Sequence, residues 1–429
     1  MISVTNYRTE EGRRAVEAML SRSQLETGNV QEIVDGILAD VKANGDKAVF
    51  QYTEKFDGVA LTKETLKVTQ AEIDAAYGAV SPELVAVIQK SAARIRAFHE
   101  KQKHNSWFEP TPNGEILGQL IRPLEKVGVY VPGGKAAYPS SVLMNVVPAH
   151  VAGVKQIIMT TPAQKDGTVY PTTIVAAVEA GVDAIYKVGG AQAIAALAFG
   201  TESIPKVDKI CGPGNIFVAL AKRTVYGHVN IDSVAGPSEI LILADGTARA
   251  DYVAADLLSQ AEHDPMASAI LVTTDAALAE AVCKEVKAQT EKLERKDIIT
   301  VSIRDYGAVI LADTMDEACD LANAIAPEHL ELCTASPFEL LPKIQNAGAI
   351  FMGHFSPEPL GDYMAGPNHV LPTGGTARFF SPLSIDDFVK KSSLICFSQE
   401  ALAALSDDII TFANAEGLTA HANSIRIRK

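Results

Sequence analysis

The chain is poor in the features that mark several large protein classes. Its five cysteines (Cys211, Cys283, Cys319, Cys333 and Cys396) are odd in number and scattered, without the paired spacing of a structural metal site. That argues against a disulfide framework and fits a reducing cytoplasm. No apolar run reaches the roughly 18 residues needed to span a bilayer. The opening stretch, MISVTNYRTEEGRRAVEAML, lacks the apolar core of a secretory signal. Basic charge is also short: 38 Lys and Arg face 52 Asp and Glu, for a formal net charge of −14. A surface of that sign argues against a nucleic-acid partner held through its phosphates. The expectation is an acidic cytoplasmic protein with neither nucleic acid nor membrane as partner.

Apolar material is ample. Hydrophobic residues make up 47% of 429 positions, more than one small core can use, so two or more domains are expected. From Glu10 to about Lys103 apolar residues recur at three- and four-residue spacing, which predicts helices. Beyond TPNGEILGQLIRPLEKVG the texture changes. VGVYVPGG, QIIMTTPA, DAIYKVGG and DKICGPGN read as buried strands ending in tight loops, with helical stretches such as AQAIAALAFG between them. A second series follows, with strands EILILAD, AILVTTD, GAVILAD and AGAIFMG. Alternation of this kind predicts parallel sheets covered by helices, with a ligand crevice between them. The tail from about Pro382 reads as polar and helical.

Several short motifs carry possible chemistry, each with an ordinary structural alternative. Gln260 and His263 in LLSQAEHDPMAS lie three apart, so an amide oxygen and an imidazole can converge; the alternative is a solvated helix end before Pro265. The loops after three strands place Tyr130, Gln192 and Asn215 beside glycines that let a backbone approach phosphate. The dinucleotide fingerprint is not met, because Phe217 stands where its third glycine or alanine belongs. In APEHLEL, His329 can act as a general base and Glu328 as a second proton carrier; the alternative is the first turn of a helix. Asp362 and His369 fall in a Gly- and Pro-rich segment, where Asp is either a hard metal ligand or a turn cap. Glu416 and His421 stand in the tail, where a histidine is usually just exposed. Cys211 could in principle serve as a thiolate in aldehyde oxidation. Only a possible helix start would lower its pKa, so it is read as a buried structural cysteine.

Together, VGVYVPGG, GGAQAIAALAFGT, DKICGPGN, IDSVAGPSEILILAD, DLLSQAEHDP, APEHLEL, GDYMAGPNHVLPTGGTARF and EGLTAHA closely resemble the histidinol dehydrogenase family. The resemblance runs from about Val30 to the end of the tail. It implies a NAD-dependent four-electron oxidation of L-histidinol, through L-histidinaldehyde, to L-histidine, the last two steps of histidine biosynthesis. It implies one zinc ion per subunit, held by Gln260, His263, Asp362 and His421. Glu328 and His329 are the implied proton carriers, and Tyr130, Gln192 and Asn215 the implied NAD contacts. Substrate contacts fall to Ser238, Gln260, His263, His329, Asp362, Glu416 and His421.

The implied fold is α/β, with two incomplete Rossmann-like parallel-sheet domains, one inserted in the other, and small helical terminal segments. The expected division is an extension at 1–25, a first α/β domain at 26–127 and 238–381, an inserted NAD-side domain at 128–237, and a tail at 382–429. The tail is expected to reach the active site of a partner in a homodimer. Rival readings are a relative acting on another polar alcohol and a nucleotide-binding regulatory protein without turnover.

Overall fold

The computed structural model describes residues 2, 4–7, 9–21, 28–133 and 137–429. The remainder of the expected 1–25 extension, and Gly134 of the Pro-Gly-Gly loop, lie outside the described residues. Two parallel sheets carry the fold, and both have the Rossmann-like strand order. The first takes Lys126–Tyr130, Gln156–Thr160, Ala184–Tyr186, Lys209–Cys211 and Asn230–Ile231 in the order 3-2-1-4-5. The second repeats that order with Glu239–Ala244, Ser268–Thr273, Ala308–Leu311, His329–Cys333 and Ala349–Met352. Val4–Asn6 pairs in parallel with Ala308–Leu311 as an added edge strand. The first sheet is therefore inserted in sequence between strands of the second, and the expected α/β class holds.

The packing redraws the expected boundaries. Lys126–Tyr130 is wholly a strand of the first sheet, so a boundary at 128 would cut it. The helix Gly28–Asp57 buries Val34, Ile37, Leu38 and Val41 in one cluster with Ile194 and Leu197 of the inserted sheet's helices. Ile88, Ala92 and Ile95 of Pro82–Glu100 join the other face of the same sheet. The apolar stripes of 28–100 thus belong with the inserted sheet rather than with the second sheet. The N-terminal strand belongs to the second sheet.

The tail is not wholly helical. Val389–Phe397 pairs antiparallel with Glu115–Pro123, which also pairs with Trp107–Pro110. The helices Gln399–Ala415 and Thr419–Arg426 follow. Among the described residues no helix is long and apolar enough to cross a membrane.

One buried ion pair shapes the loop that ends the strand Lys209–Cys211. The Gly212 N–H donates to Asp232 Oδ2 at 2.7 Å, and Lys222 Nζ donates to the Gly212 carbonyl at 2.9 Å. Lys222 and Asp232 also pair with each other, at 2% and 4% side-chain exposure. Gly212 has φ +114°, and a Cβ there would lie 2.0 Å from the Tyr130 carbonyl, so only glycine fits. Lys222→Met would leave the Asp232 charge buried and unpaired. We expect it to destabilise the protein by about 3–5 kcal/mol in urea unfolding, with Lys222→Met/Asp232→Asn recovering part of the loss. Unchanged midpoints would refute this role.

Candidate active site and metal centre

The two sheets present different ends to their sites. The first sheet uses its carboxyl ends, as open α/β sheets commonly do. Tyr130 closes one strand, Gly190 and Gln192 open the helix Gly190–Phe199, and Asn215 caps Ile216–Val225, all lining one cleft of about 820 Å³. The three expected NAD contacts are thus brought together. Tyr130 is buried, and its hydroxyl accepts from the Gly190 N–H at 3.2 Å. Asn215 Oδ1 accepts from the N–H groups of Phe217 and Val218 at 3.1 and 3.2 Å. Gln192 is 1% exposed, and neither polar atom of its amide has a partner within the protein. A buried amide with no partner costs free energy unless a ligand satisfies it. The site therefore fits a polar cofactor.

The second sheet uses its amino ends. Ser238 immediately precedes Glu239–Ala244, and Glu328 immediately precedes His329–Cys333. The APEHLEL segment is thus the entry to a strand, not the first turn of a helix. Ala326, at φ 53°, ends the helix Met315–Ile325 in the left-handed region and turns the chain through Pro327 into Glu328. Helix Ala250–Ala261 runs back toward the same end and delivers Gln260 and His263. Gln260 is 1% exposed, so the solvated helix end fails for this residue; its Oε1 is buried without a partner. His263 lies just past the helix and is exposed. Its Nδ1 donates to the Gln260 carbonyl at 3.3 Å, leaving Nε2 free as a ligand atom.

Asp362 lies in the turn Gly361–Ala365, which leans on the helix Pro82–Glu100. Ser91 Oγ donates to the Tyr363 carbonyl at 2.6 Å, and Arg94 Nε donates to that of Met364. Burial opposes ionisation of Asp362. The hydrogen bond from His369 (3.2 Å) and the nearby imidazoles outweigh it and hold the carboxyl below its usual range. Ligand atoms of His329, Glu358 and Asp362 lie within 4.8 Å of one another, a spacing compatible with a metal ion. Of this trio only Asp362 belongs to the expected zinc set. Glu358, buried between two prolines, was missed in the sequence; its one signal was its place in the Gly- and Pro-rich segment, four residues before Asp362. The orphaned Gln260 oxygen and the buried carboxylates fit a divalent cation.

Glu416 and His421 lie exposed on the tail helices, and among the described residues neither is joined to this centre by a hydrogen bond or ion pair. Cys211 is fully buried, and burial pushes its thiol well above the usual range, so the structural reading holds.

The protonation pattern is set by desolvation. His329 Nδ1 donates to the Glu239 carbonyl at 3.0 Å; a carbonyl only accepts, so the basic lone pair is on Nε2. Nε2 faces Glu358 Oε1 at 4.0 Å. Burial lowers the His329 pKa to about 4, against the pull of Asp362 and the hydrogen bond, so the ring is neutral near pH 7. Glu328 Oε2 accepts from the Glu239 N–H at 2.9 Å, yet burial, with Glu239, Asp362 and Glu358 close by, raises its carboxyl well above normal.

Glu239 itself, with Oε2 unpartnered, is raised by burial to about 7. Its folded value lies above the ordinary 4.5, so the stability it contributes is complete below that pH and is lost as pH rises toward 7. Glu239→Gln can still accept from the Gly374 N–H but cannot ionise. Its melting temperature should gain on wild type from about pH 5 to about pH 8. A difference that stays constant with pH would contradict this.

The histidinol dehydrogenase family model matches residues 20–429. Histidinol dehydrogenase of Clostridium acetobutylicum is 56% identical over 418 residues, 97% of this chain and 96% of that protein. The Geobacillus kaustophilus enzyme is 57% identical over 95% of this chain and 96% of its own. The crystal structure of histidinol dehydrogenase from Elizabethkingia anophelis superposes with a TM-score of 0.94 at 38% identity, covering 100% of this chain and 98% of that one. With the family match over nearly the whole chain and the matching fold, the chain belongs to the histidinol dehydrogenase family of oxidoreductases.

Proposed function

We propose that the protein oxidises L-histidinol to L-histidine through L-histidinaldehyde, using two NAD molecules, as the last two steps of histidine biosynthesis. The observation that carries this reading is the neutral, desolvated His329. Its Nε2 faces Glu358, whose ligand atoms group with those of Asp362, and the Gln260 Oε1 is buried without a partner. Gln260, His263 and Asp362, with His421 from a second copy, would hold one zinc ion, and Tyr130, Gln192 and Asn215 would hold NAD. When bound, NAD accepts hydride and zinc orients the substrate's nitrogen donors.

The chain's own residues move the protons. His329 Nε2 takes the hydroxyl proton as the alcohol carbon loses hydride. Glu328, once ionised, is a stronger base than an exposed carboxylate, because the same burial that raises its pKa raises its basicity. It takes a proton from the water that hydrates the aldehyde, and His329 serves the second oxidation. Ser238 helps fix the substrate, and Glu416 of a second copy would meet its ammonium. Two redox steps without a cysteine nucleophile agree with the buried, protonated Cys211. We place the enzyme in the cytoplasm as a homodimer.

Purified protein should yield two NADH per histidinol consumed, and chelation should abolish turnover until zinc is restored. A yield of one, or full activity in rigorously metal-free protein, would refute this reading. The shared site is tested by co-expressing differently tagged His329→Asn and His421→Ala chains. Each mixed dimer then has one site with both defects and one with neither, so a random mixture should recover about a quarter of wild-type activity. Purified mixed dimers that stay inactive would place His421 in its own chain's site.

A further inference from the structure

Asp57 is the last residue of the helix Gly28–Asp57, and it lines the cleft that holds Tyr130 and Gln192. Its Oδ2 is buried and has no hydrogen-bond partner. Burial pushes the carboxyl up to about 6, as expected for a carboxylate stripped of water and lacking a donor. A helix carboxyl end is also an unfavourable place for negative charge. A ligand offering hydroxyl donors would relieve this arrangement.

The residue before it supplies a second surface. Phe56 lines the same cleft, is 51% exposed, and is backed by Tyr52 in a stacked pair with centroids 5.8 Å apart. The half-exposed ring, with the Lys55 ammonium 5.3 Å from its centroid, stands next to a donor-seeking carboxylate and suits a base and its ribose, that is, one nucleoside. None of Glu328, His329, Gln260 or Asp362 lines this cleft, so the nucleoside it receives is the one remote from hydride transfer.

The sheet explains why the acid comes from outside. In dinucleotide-binding sheets the carboxylate for the ribose hydroxyls commonly stands at the end of the second strand. Here that strand, Gln156–Thr160, is followed by Thr161, Pro162 and Ala163, with no acid. Asp166, farther along the loop, already accepts from the Thr168 N–H at 3.0 Å and its hydroxyl at 2.7 Å. Asp57 has the unpartnered buried oxygen.

We propose that Asp57 receives the hydroxyls of the adenosine ribose and makes the enzyme select NAD over NADP, whose 2′-phosphate would meet it as a like charge. The inference rests on the reading of this cleft as the NAD site. The competing cation is Lys165, on the same cleft but exposed, where water screens its attraction for a phosphate.

Calorimetric titration of the zinc-loaded wild type and Asp57→Asn with NAD and with NADP separates the possibilities without turnover. In the variant, NAD binding should weaken by about 10–100-fold, the range for a lost charge-assisted hydrogen bond. NADP binding should hold or tighten, so the NAD/NADP preference falls at least about tenfold. The KM for histidinol should stay unchanged. Asp57→Ser is the second variant, and melting temperatures of both report whether the fold survives. Equal weakening toward both dinucleotides would show a packing role and overturn the proposal, as would unchanged affinities. Wild-type protein that binds neither dinucleotide would overturn the NAD reading and this inference with it. Wild type that binds NAD while Asp57→Asn keeps its preference would overturn the inference alone.

Discussion

Desolvation of ionisable groups at the amino end of the second sheet is the constraint on which the candidate active site depends. Glu328, Glu331 and Glu358 are buried there around a buried imidazole, with Glu239 and Asp256 largely withdrawn from water. Burial raises the carboxyls, Glu358 to about 8 and Asp256 to about 6, and lowers His329 to about 4. In water both kinds of group would be charged or charge easily near their ordinary values. In this site the imidazole stays neutral and Glu328 and Glu358 favour their protonated forms, while Asp362 keeps its charge. Backbone groups keep the arrangement from collapsing: the Glu239 N–H holds Glu328, the Glu239 carbonyl orients His329, and Glu331 Oε1 accepts from the Glu358 N–H at 2.8 Å.

The same strand order thus serves two purposes in one chain. The first sheet places glycine-marked turns and helix amino ends at its carboxyl edge, where backbone donors favour a phosphate-bearing ligand. The second sheet puts its chemistry at the opposite edge, because the helix bearing Gln260 runs antiparallel to the strands and ends there. The segment carrying Asp362 joins the two. It hydrogen-bonds to the helix Pro82–Glu100, and Asn368 donates to the Met144 carbonyl at 2.7 Å. A ligand held by Asp362 is therefore fixed relative to both sheets.

Much of this was legible in the residues. The helices of 28–100, four of the five strands of the inserted sheet and the glycine-ended turns followed from apolar spacing and turn chemistry, which act over a few residues. Tyr130, Gln192 and Asn215 were marked by those turns, and Glu328 and His329 by their adjacency. The strand Val389–Phe397 escaped, because its exposed residues alternate weakly and its partner lies in a distant hairpin. Glu358 and Asp57 escaped as well. A glutamate between prolines and an aspartate at a helix end have ordinary uses, and nothing local tells how dry their surroundings are.

The sequence by itself determined the elements, the loops that bear the chemistry, and the identity of most groups in the centre. Tertiary structure decided which sheet the early helices cover, which polar atoms lose water, and which nitrogen of His329 is basic. The physical reason is range. Periodicity and capping are settled within a turn or two of helix. By contrast, the proton affinity of Glu328 depends on Glu239, 89 residues away in the chain, and on a burial that only the assembled sheet creates.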